Sequence, residues 1–391
     1  MDRRVALVSS SFDPHTGGVE EHVRHVARVF ASRGHQVVVW TVDRGEHLGT
    51  RQIDGVEVRD LPTPLPARSF RSLLRFGLEL PAALRSWLLA YRSFRPDVLH
   101  VHCFGPNGVY ALALSRLTRT PLVVSGHGET FMDDHQVFER SALLRRALRV
   151  AGDRAVAVTA CSSMVARDLV NTYATKEPVV VPNGVELDAD AERAPGTPPE
   201  WWPGRGVVVG AVGRVEAVKG FDLLVRAFGS ARLPGERLVI AGAGSALPEL
   251  TRLVEQLGLT DSVVLPGRIS RPEVAWLMEQ SSVVVVPSRV EAFGIVALEA
   301  WRGGSPLVLT ANSGARDIVT DGVDALLVDP TDATALGRAI RRVIDDPALR
   351  AVLADNGRRN VEDFTWDRVA EDYLSLYDSV LPPGAGAGRP R

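Results

Sequence analysis

The sequence holds only two cysteines, Cys103 and Cys161, far apart and outside any paired spacing. A disulfide framework and a cysteine-built zinc cage are thereby excluded, and a reducing, cytoplasmic setting is expected. Long apolar runs are missing as well. No stretch approaches the length that spans a bilayer, and the four apolar residues after residues 1–4 are too few for the core of a signal peptide. Charge of one sign is lacking: 45 basic against 47 acidic residues leave a formal −2, which gives no reason to expect nucleic acid as the main partner. No short-period repeat is present. A full dinucleotide fingerprint is absent, because Gly242-Ala-Gly244 is followed by Leu247 where the third glycine would stand, so an oxidoreductase finds little support. The run Asp133-Asp134-His135 imitates a metal site, but nothing beside it completes an oxygen-rich shell. A solvated loop is expected there, and neither a metal nor a cofactor is expected in the protein.

What is present is large and α/β in pattern. With 391 residues and 45% hydrophobic content the chain exceeds what one core usually supports, so two domains are expected. Short β-rich apolar runs alternate with longer helical patterns, as in parallel sheets covered by helices on both faces. Strands are predicted at 5–9, 36–42, 97–102, 122–125, 155–159 and 179–181, then at 207–212, 238–241, 263–265, 283–287, 307–310 and 326–328. Between the two sets, residues 186–205 turn acidic and then proline-rich, a composition hostile to helix and sheet. The predicted organisation is therefore a first domain over 1–185, a linker over 186–205 and a second domain over 206–365. A helix over 366–381 presents Val369, Tyr373, Leu376, Tyr377 and Val380 on one face. The Pro/Gly/Ala-rich tail 382–391 is expected to be disordered.

The most specific chemical signal is the run from Glu291 to Glu299, just after the strand at 283–287 and opening a helix. Eight residues are a little over two helical turns, so a glutamate in the preceding loop and one inside the helix can point toward one site. Phe293, Gly294 and Ile295 fall at the helix N-terminus, where free amides attract phosphate or a polarised sugar hydroxyl. The plain alternative is that both glutamates are solvated. A second signal, residues 213–220, sets Arg214 and Lys219 between glycines in a strand-to-helix loop. A fork and a point charge suit a diphosphate, though two ordinary surface cations would look the same. Gly17 and Gly18 end the first such loop, where a backbone can approach a ligand. His127, between Gly126 and Gly128, follows the fourth strand at the carboxyl edge, where open parallel sheets place ligands; most histidines, however, are structural or exposed.

With these residues in place the chain resembles the retaining glycosyltransferases of family 4. These have the GT-B fold, two Rossmann-like domains with parallel sheets facing across a cleft and a C-terminal crossover helix. The resemblance spans nearly the whole chain: residues 14–20, 33–37, 96–100, 182–185, 213–220, 241–244, 265–267 and 287–299. It implies that Glu299 binds the ribose diol, Glu291 the donor sugar hydroxyls, and Arg214 with Lys219 the diphosphate. By the same resemblance the amides of Phe293, Gly294 and Ile295 hold sugar and phosphate, His127 hydrogen-bonds the donor sugar beside the reacting carbon, and Gly17-Gly18 close near the phosphates. The stretch Gly267-Arg268-Ile269 resembles the segment that frames the base, and the helix over 366–381 resembles the crossover helix that packs on the first domain. Two positions depart from the pattern: Asp317 stands where glutamate is usual, and Ala325 where glycine is frequent. Neither carries an assigned role.

The resemblance implies metal-independent transfer of a sugar, with retained configuration, from a nucleotide diphosphate sugar to a hydroxyl acceptor. That acceptor is a polysaccharide, a lipid-linked precursor or a small molecule. A nucleotide-sugar epimerase of the same fold and a silent nucleotide-binding module are the rival classes. Residues 69–95 carry Arg71, Arg75, Arg85, Arg92 and Arg95 among Phe70, Leu73, Leu74, Phe76 and Trp87. Such a segment either docks peripherally on an anionic membrane or buries its apolar face in the core, and Pro81 is expected to interrupt the helix.

Overall fold

The computed structural model describes residues 2–381 apart from residues 16, 67–68, 133–136, 188–193 and 195. The Asp133-Asp134-His135 run, the tail 382–391 and residues 188–193 and 195 of the predicted linker lie outside the described residues. The chain forms two compact units, one made of Met1–Pro182 with Trp366–Arg391, the other of Asn183–Thr365.

The first unit is built on a sheet of β1 (Arg4–Ser9), β2 (Gln36–Val42), β3 (Thr50–Ile53), β4 (Val56–Leu61), β5 (Val98–His102), β6 (Leu122–Gly126), β7 (Ala157–Ala160) and β8 (Val179–Val180). Its strand order is β3-β4-β2-β1-β5-β6-β7-β8. The order reverses between β1 and β5, so the loops leaving these two strands diverge and open a crevice at the carboxyl edge. The helices are α1 (Gly18–Ser32), α2 (Phe70–Phe94), α3 (Pro106–Thr118), α4 (Val137–Arg140), α5 (Ala142–Arg154) and α6 (Ser163–Tyr173). Central strands such as β5 are buried along their whole length, which is why they read as unbroken apolar runs.

The second unit carries β9 (Val208–Val212), β10 (Arg237–Ala241), β11 (Val263–Gly267), β12 (Val283–Val286), β13 (Leu307–Thr310) and β14 (Leu326–Val328) in the order β11-β10-β9-β12-β13-β14. Every pairing in it is parallel. Its helices are α7 (Phe221–Ala231), α8 (Leu247–Gln256), α9 (Arg271–Gln280), α10 (Ile295–Gly303), α11 (Ala333–Asp345) and α12 (Pro347–Asn360). The start of α9 is fixed locally: Pro272 stands in its first turn, and Ser270 and Glu273 form a capping box that satisfies two otherwise orphaned amides. Val185 pairs with Thr365, so the two ends of this unit lie side by side.

The last helix, α13 (Trp366–Val380), returns to the first unit and packs on α1. Tyr373 and Tyr377 are fully buried, the Trp366 ring stacks on His25 with centroids 4.9 Å apart, and Arg3 donates to Asp378 at 2.6 Å.

Three sequence expectations need correction. The first sheet is not wholly parallel, because β3 and β4 form an antiparallel hairpin at its edge. Its turn is Asp54-Gly55, both with positive φ, a two-residue signal that was present in the sequence and passed over. Pro81 does not interrupt α2, which runs unbroken through it. The hydrogen bond that proline removes would have ended on Gly77, which is exposed, so water can serve that carbonyl. Nor does the apolar face of α2 go wholly into the core. Ala83, Trp87 and Ala90 are buried, whereas Phe70 is 75% and Leu78 81% exposed, with Leu73 and Leu74 exposed beside them. Among the described residues no helix is long and apolar enough to cross a membrane.

Gly242 and Gly220 bring the loops of the second unit together. At Gly242 φ is 144° and a Cβ would collide with the carbonyl oxygen of Gly213; at Gly220 φ is 66° and a Cβ would collide with that of Pro287. Gly242→Ala is therefore expected to lower the unfolding free energy by more than about 1 kcal/mol. Gly77→Ala, in an open exposed helix position, is expected to raise it by up to about 1 kcal/mol. Denaturant titration of both variants checks the contrast.

Candidate functional site

The second sheet reverses its order between β9 and β12, and the loops leaving these strands carry the two strongest sequence signals. After β9 the chain runs through Gly213 and the exposed Arg214 into a 3₁₀ turn, Ala217–Lys219. After β12 it passes Ser288, Arg289 and Glu291 before Gly294, in a left-handed conformation, starts α10. Lys219 Nζ donates to Glu291 Oε2 at 2.7 Å, and Ser288 Oγ donates to the same oxygen at 2.9 Å. Glu291 is only 6% exposed, so it is not a solvated helix residue. The Arg289 amide donates to Val218 O at 2.8 Å. Its guanidinium donates to Ala217 O at 2.6 Å and holds both oxygens of Asp222 at 2.8 and 2.7 Å. Burial pushes the Asp222 carboxyl up, but the Arg289 fork outweighs it and the group stays below its ordinary range.

Further loops join at the same edge. Glu291 also bridges Ser313, its amide donating to Asn312 O at 3.0 Å while its carbonyl accepts from Gly314 at 2.8 Å. On the other side Gly213 donates to Ala241 O at 3.0 Å, Val215 to Ala243 O at 2.9 Å, and Gly242 to Gly267 O at 2.7 Å. The glycines at 242 and 244 thus let two loops touch, a packing role that explains them without a dinucleotide. Arg214 forms no ion pair among the described residues. Glu299 lies one turn into α10, half-buried, and Phe293 is buried just before it. Arg268 is exposed beside Gly267. The partly buried side chain of Ile269 packs against the cluster of Val208, Val239, Ala241 and Leu277.

In the first unit the corresponding edge is built from neutral rings. His100 and His102 alternate on β5 and therefore face the same side of the sheet, with ring centroids 4.0 Å apart. His100 is engaged on both nitrogens, Nδ1 with Tyr377 Oη at 2.5 Å and Nε2 with Ser125 Oγ at 2.6 Å. His127 follows β6, with Nε2 3.2 Å from His102 Nδ1. His22 of α1 stands with its ring centroid 4.8 Å from that of His127 and its Nε2 3.0 Å from Tyr373 Oη. Burial, reinforced by neighbouring histidines, holds His100, His102 and His127 well below the ordinary imidazole range. His127 is thus a neutral hydrogen-bonding group at pH 7. Gly17 caps α1 in extended backbone and Gly18 is its first residue.

Sequence reasoning missed His22, His102 and Glu129. The alternation in His100-Val-His102 was a usable signal for the second; nothing in the local sequence marks the other two. Glu129 accepts from the Phe104 and His127 amides, both at 2.7 Å, and so ties the loops after β5 and β6 together. Burial raises its carboxyl above the ordinary range against the lowering effect of these amides.

This architecture and these loops have known counterparts. A family model described as Glycosyl transferases group 1 matches residues 200–360, and one described as Glycosyltransferase Family 4 matches residues 16–189. The chain is 32% identical over 402 residues to D-inositol 3-phosphate glycosyltransferase 1 of Catenulispora acidiphila, covering 95% of this chain and 92% of that one. The chain belongs to the family 4 glycosyltransferases. Among solved structures, sucrose-phosphate synthase from Thermosynechococcus elongatus is similar in fold to this family 4 glycosyltransferase. The TM-score is 0.80 at 24% identity, over 96% of this chain and 98% of that one. The HepE protein of Anabaena, in complex with UDP and glucose, has a TM-score of 0.76 at 21% identity over 96% and 100% of the two chains. The fold is GT-B, with two Rossmann-like domains, and the chain transfers a sugar from a nucleotide sugar.

Glu129→Ala leaves two amides without their acceptor, each costing about 1–3 kcal/mol when shielded from water. Glu129→Gln keeps one acceptor oxygen and is expected to fall between Ala and the parent in unfolding free energy. Equal stability of all three proteins in denaturant titrations would contradict this role.

Proposed function

We propose that this family 4 glycosyltransferase transfers a sugar, with retained anomeric configuration and without a metal, from a nucleotide diphosphate sugar to a hydroxyl acceptor. The observation that carries this reading is the joint at the β9/β12 reversal. There one ion pair, Lys219 with Glu291, and the N-terminus of α10 lie in two adjoining loops of one edge. In this reading Arg214 and Lys219 take the charge that grows on the leaving diphosphate, and the amides of Phe293, Gly294 and Ile295 add fixed dipoles. Glu291 orients the sugar hydroxyls, Glu299 the ribose diol, and the Gly267-Arg268-Ile269 backbone frames the base. For the first unit the family resemblance assigns His127, a neutral imidazole, a hydrogen bond to the donor sugar, and Gly17-Gly18 a role at the phosphates. The two cationic side chains supply the electrostatic role that a divalent ion would otherwise fill. The relatives lend support: HepE is described with UDP and glucose, and the relative from Catenulispora names D-inositol 3-phosphate, which makes that polyol phosphate the first acceptor to try.

Thermal-shift screening against nucleotide sugars identifies the donor, since a tight ligand raises the melting temperature. With donor and acceptor in hand, Lys219→Ala is expected to lower turnover roughly 100-fold or more. Near-normal turnover in a folded Lys219→Ala protein overturns the assignment. Proton NMR of the product reads the configuration, and inversion overturns the retaining mechanism.

The exposed face of α2 favours a further reading of where the enzyme works. Phe70, Leu73, Leu74 and Leu78 point outward beside Arg71 and beside Arg75, which pairs with Glu79 at 2.6 Å, an apolar strip with basic residues at its flank that suits an anionic bilayer surface. Sedimentation with phosphatidylserine vesicles at low salt is expected to carry down the parent protein but not a Phe70→Ser/Leu74→Ser/Leu78→Ser variant. Equal pelleting of the two, or of neither, counts against membrane docking.

A further inference from the structure

The edge of the first sheet collects three histidines from three elements: His102 ends β5, His127 follows β6 and His22 comes from α1. Each offers one ring nitrogen, and these three atoms all lie within 4.8 Å of one another. Between His102 Nδ1 and His127 Nε2 the separation is 3.2 Å. Two imidazole nitrogens on one tetrahedral zinc ion, each bonded at about 2.0–2.1 Å, stand about 3.3 Å apart. The pair, hydrogen-bonded to each other as it stands, therefore has the span of a chelate, and the third nitrogen, within 4.8 Å, closes by up to about 1.5 Å to join it.

The chemistry of the cluster agrees with the geometry. His102 Nε2, the nitrogen that does not face His127, is buried with no hydrogen-bond partner among the described residues. Tyr373 Oη, 3.0 Å from His22 Nε2, is placed as the outer group that fixes a ligating ring. His100 is occupied on both nitrogens, and both Glu129 oxygens already accept amides, so neither supplies a fourth ligand. Three imidazoles with one open position suit zinc, cobalt, nickel or copper and disfavour magnesium and calcium, which prefer oxygen.

We propose that His22, His102 and His127 form a site for a borderline transition-metal dication, Zn²⁺ or a congener, with its fourth position open. The metal is not a cofactor of sugar transfer. Because it engages His127, its binding competes with the donor contact proposed for that residue, and only this consequence rests on the proposed function.

The test uses the full chain, stripped with a chelator and titrated with Co²⁺, whose four-coordinate complexes absorb strongly in the visible. One equivalent is expected to develop the band, Zn²⁺ to bleach it and Mg²⁺ to leave it unchanged. His22→Gln and His102→Gln are expected to abolish it. Tyr373→Phe is expected to weaken binding about 10-fold, the lower end of the usual outer-partner effect. A band that persists in both histidine variants would place the metal on surface pairs such as His47 with Asp43 and overturn the proposal, as would no band in the parent. Should a variant fail to fold, X-ray absorption of the zinc-loaded parent decides: three imidazoles are expected, and fewer than three overturn the site. None of these readouts uses transferase activity, so a failed site and a failed functional reading remain distinguishable.

Discussion

The second unit depends on a carboxylate that cannot be left alone. Glu291 sits almost wholly out of water at the point where the strand order reverses, and it is held by Lys219 and Ser288. Removing one partner of a buried pair typically costs about 3–5 kcal/mol, because the survivor is stranded in low dielectric. The loop after β9 and the loop after β12 are therefore coupled: neither can move without exposing the other's charge. Arg289 reinforces the coupling by holding Asp222 and the 217–219 turn together, though that pair is half-exposed and screened by solvent. Gly220 makes the approach possible at all, since any side chain there meets the Pro287 carbonyl.

The two sheets treat the same topological feature with opposite chemistry. At the carboxyl edge of the second, charge is present and paired, and an exposed Arg214 stands beside it. At the edge of the first, the imidazoles of His22, His100 and His102 pack against Tyr373, with His127 against His22 and His102, and burial keeps His100, His102 and His127 uncharged. Such an edge can exchange hydrogen bonds with a neutral hydroxyl without the desolvation cost that a buried ion carries. It owes its dryness to α13, which the sequence delivers only after the whole second unit has been made. The chain end thus completes the first core, with Tyr373 and Tyr377 filling it and Arg3 with Asp378 closing its rim.

Much of this was legible because buried parallel strands leave a plain mark. The run Val-Val-Val-Val of β12 and the alternation of such runs with helical spacing located every named strand except the β3-β4 hairpin to within a residue or two. The Glu291 to Glu299 motif was readable because its helix start, Gly294, and its strand end are both local. What escaped reading was non-local or masked by context. His22 and His102, the two that were missed, stand 80 residues apart and His127 a further 25 along, and only the crossover from β1 to β5 and α1's packing bring them together. The Asp54-Gly55 turn is a local signal, but it closes an antiparallel hairpin at the edge of an otherwise parallel sheet. Pro81 misled because a proline's cost depends on whether the carbonyl it orphans is wet, which no sequence states.

The departures from the family pattern show the same dependence on context. Ala325 is fully buried, yet it sits in a short bridge with Asp321 whose sharp bend is taken by Gly322 at φ 74°. The conformational freedom that glycine would bring at 325 is thus supplied three residues earlier, and a methyl group fits the core. Asp317 ends a 3₁₀ turn that Ser313 caps by accepting from the Ala315 amide at 3.0 Å, so the turn's geometry is set at its start. The ladder from Glu291 through Asn312 and Gly314 then passes that fixed geometry to the buried carboxylate. Substitution is tolerated where the backbone already determines the loop, and it is excluded where a side chain answers a buried charge.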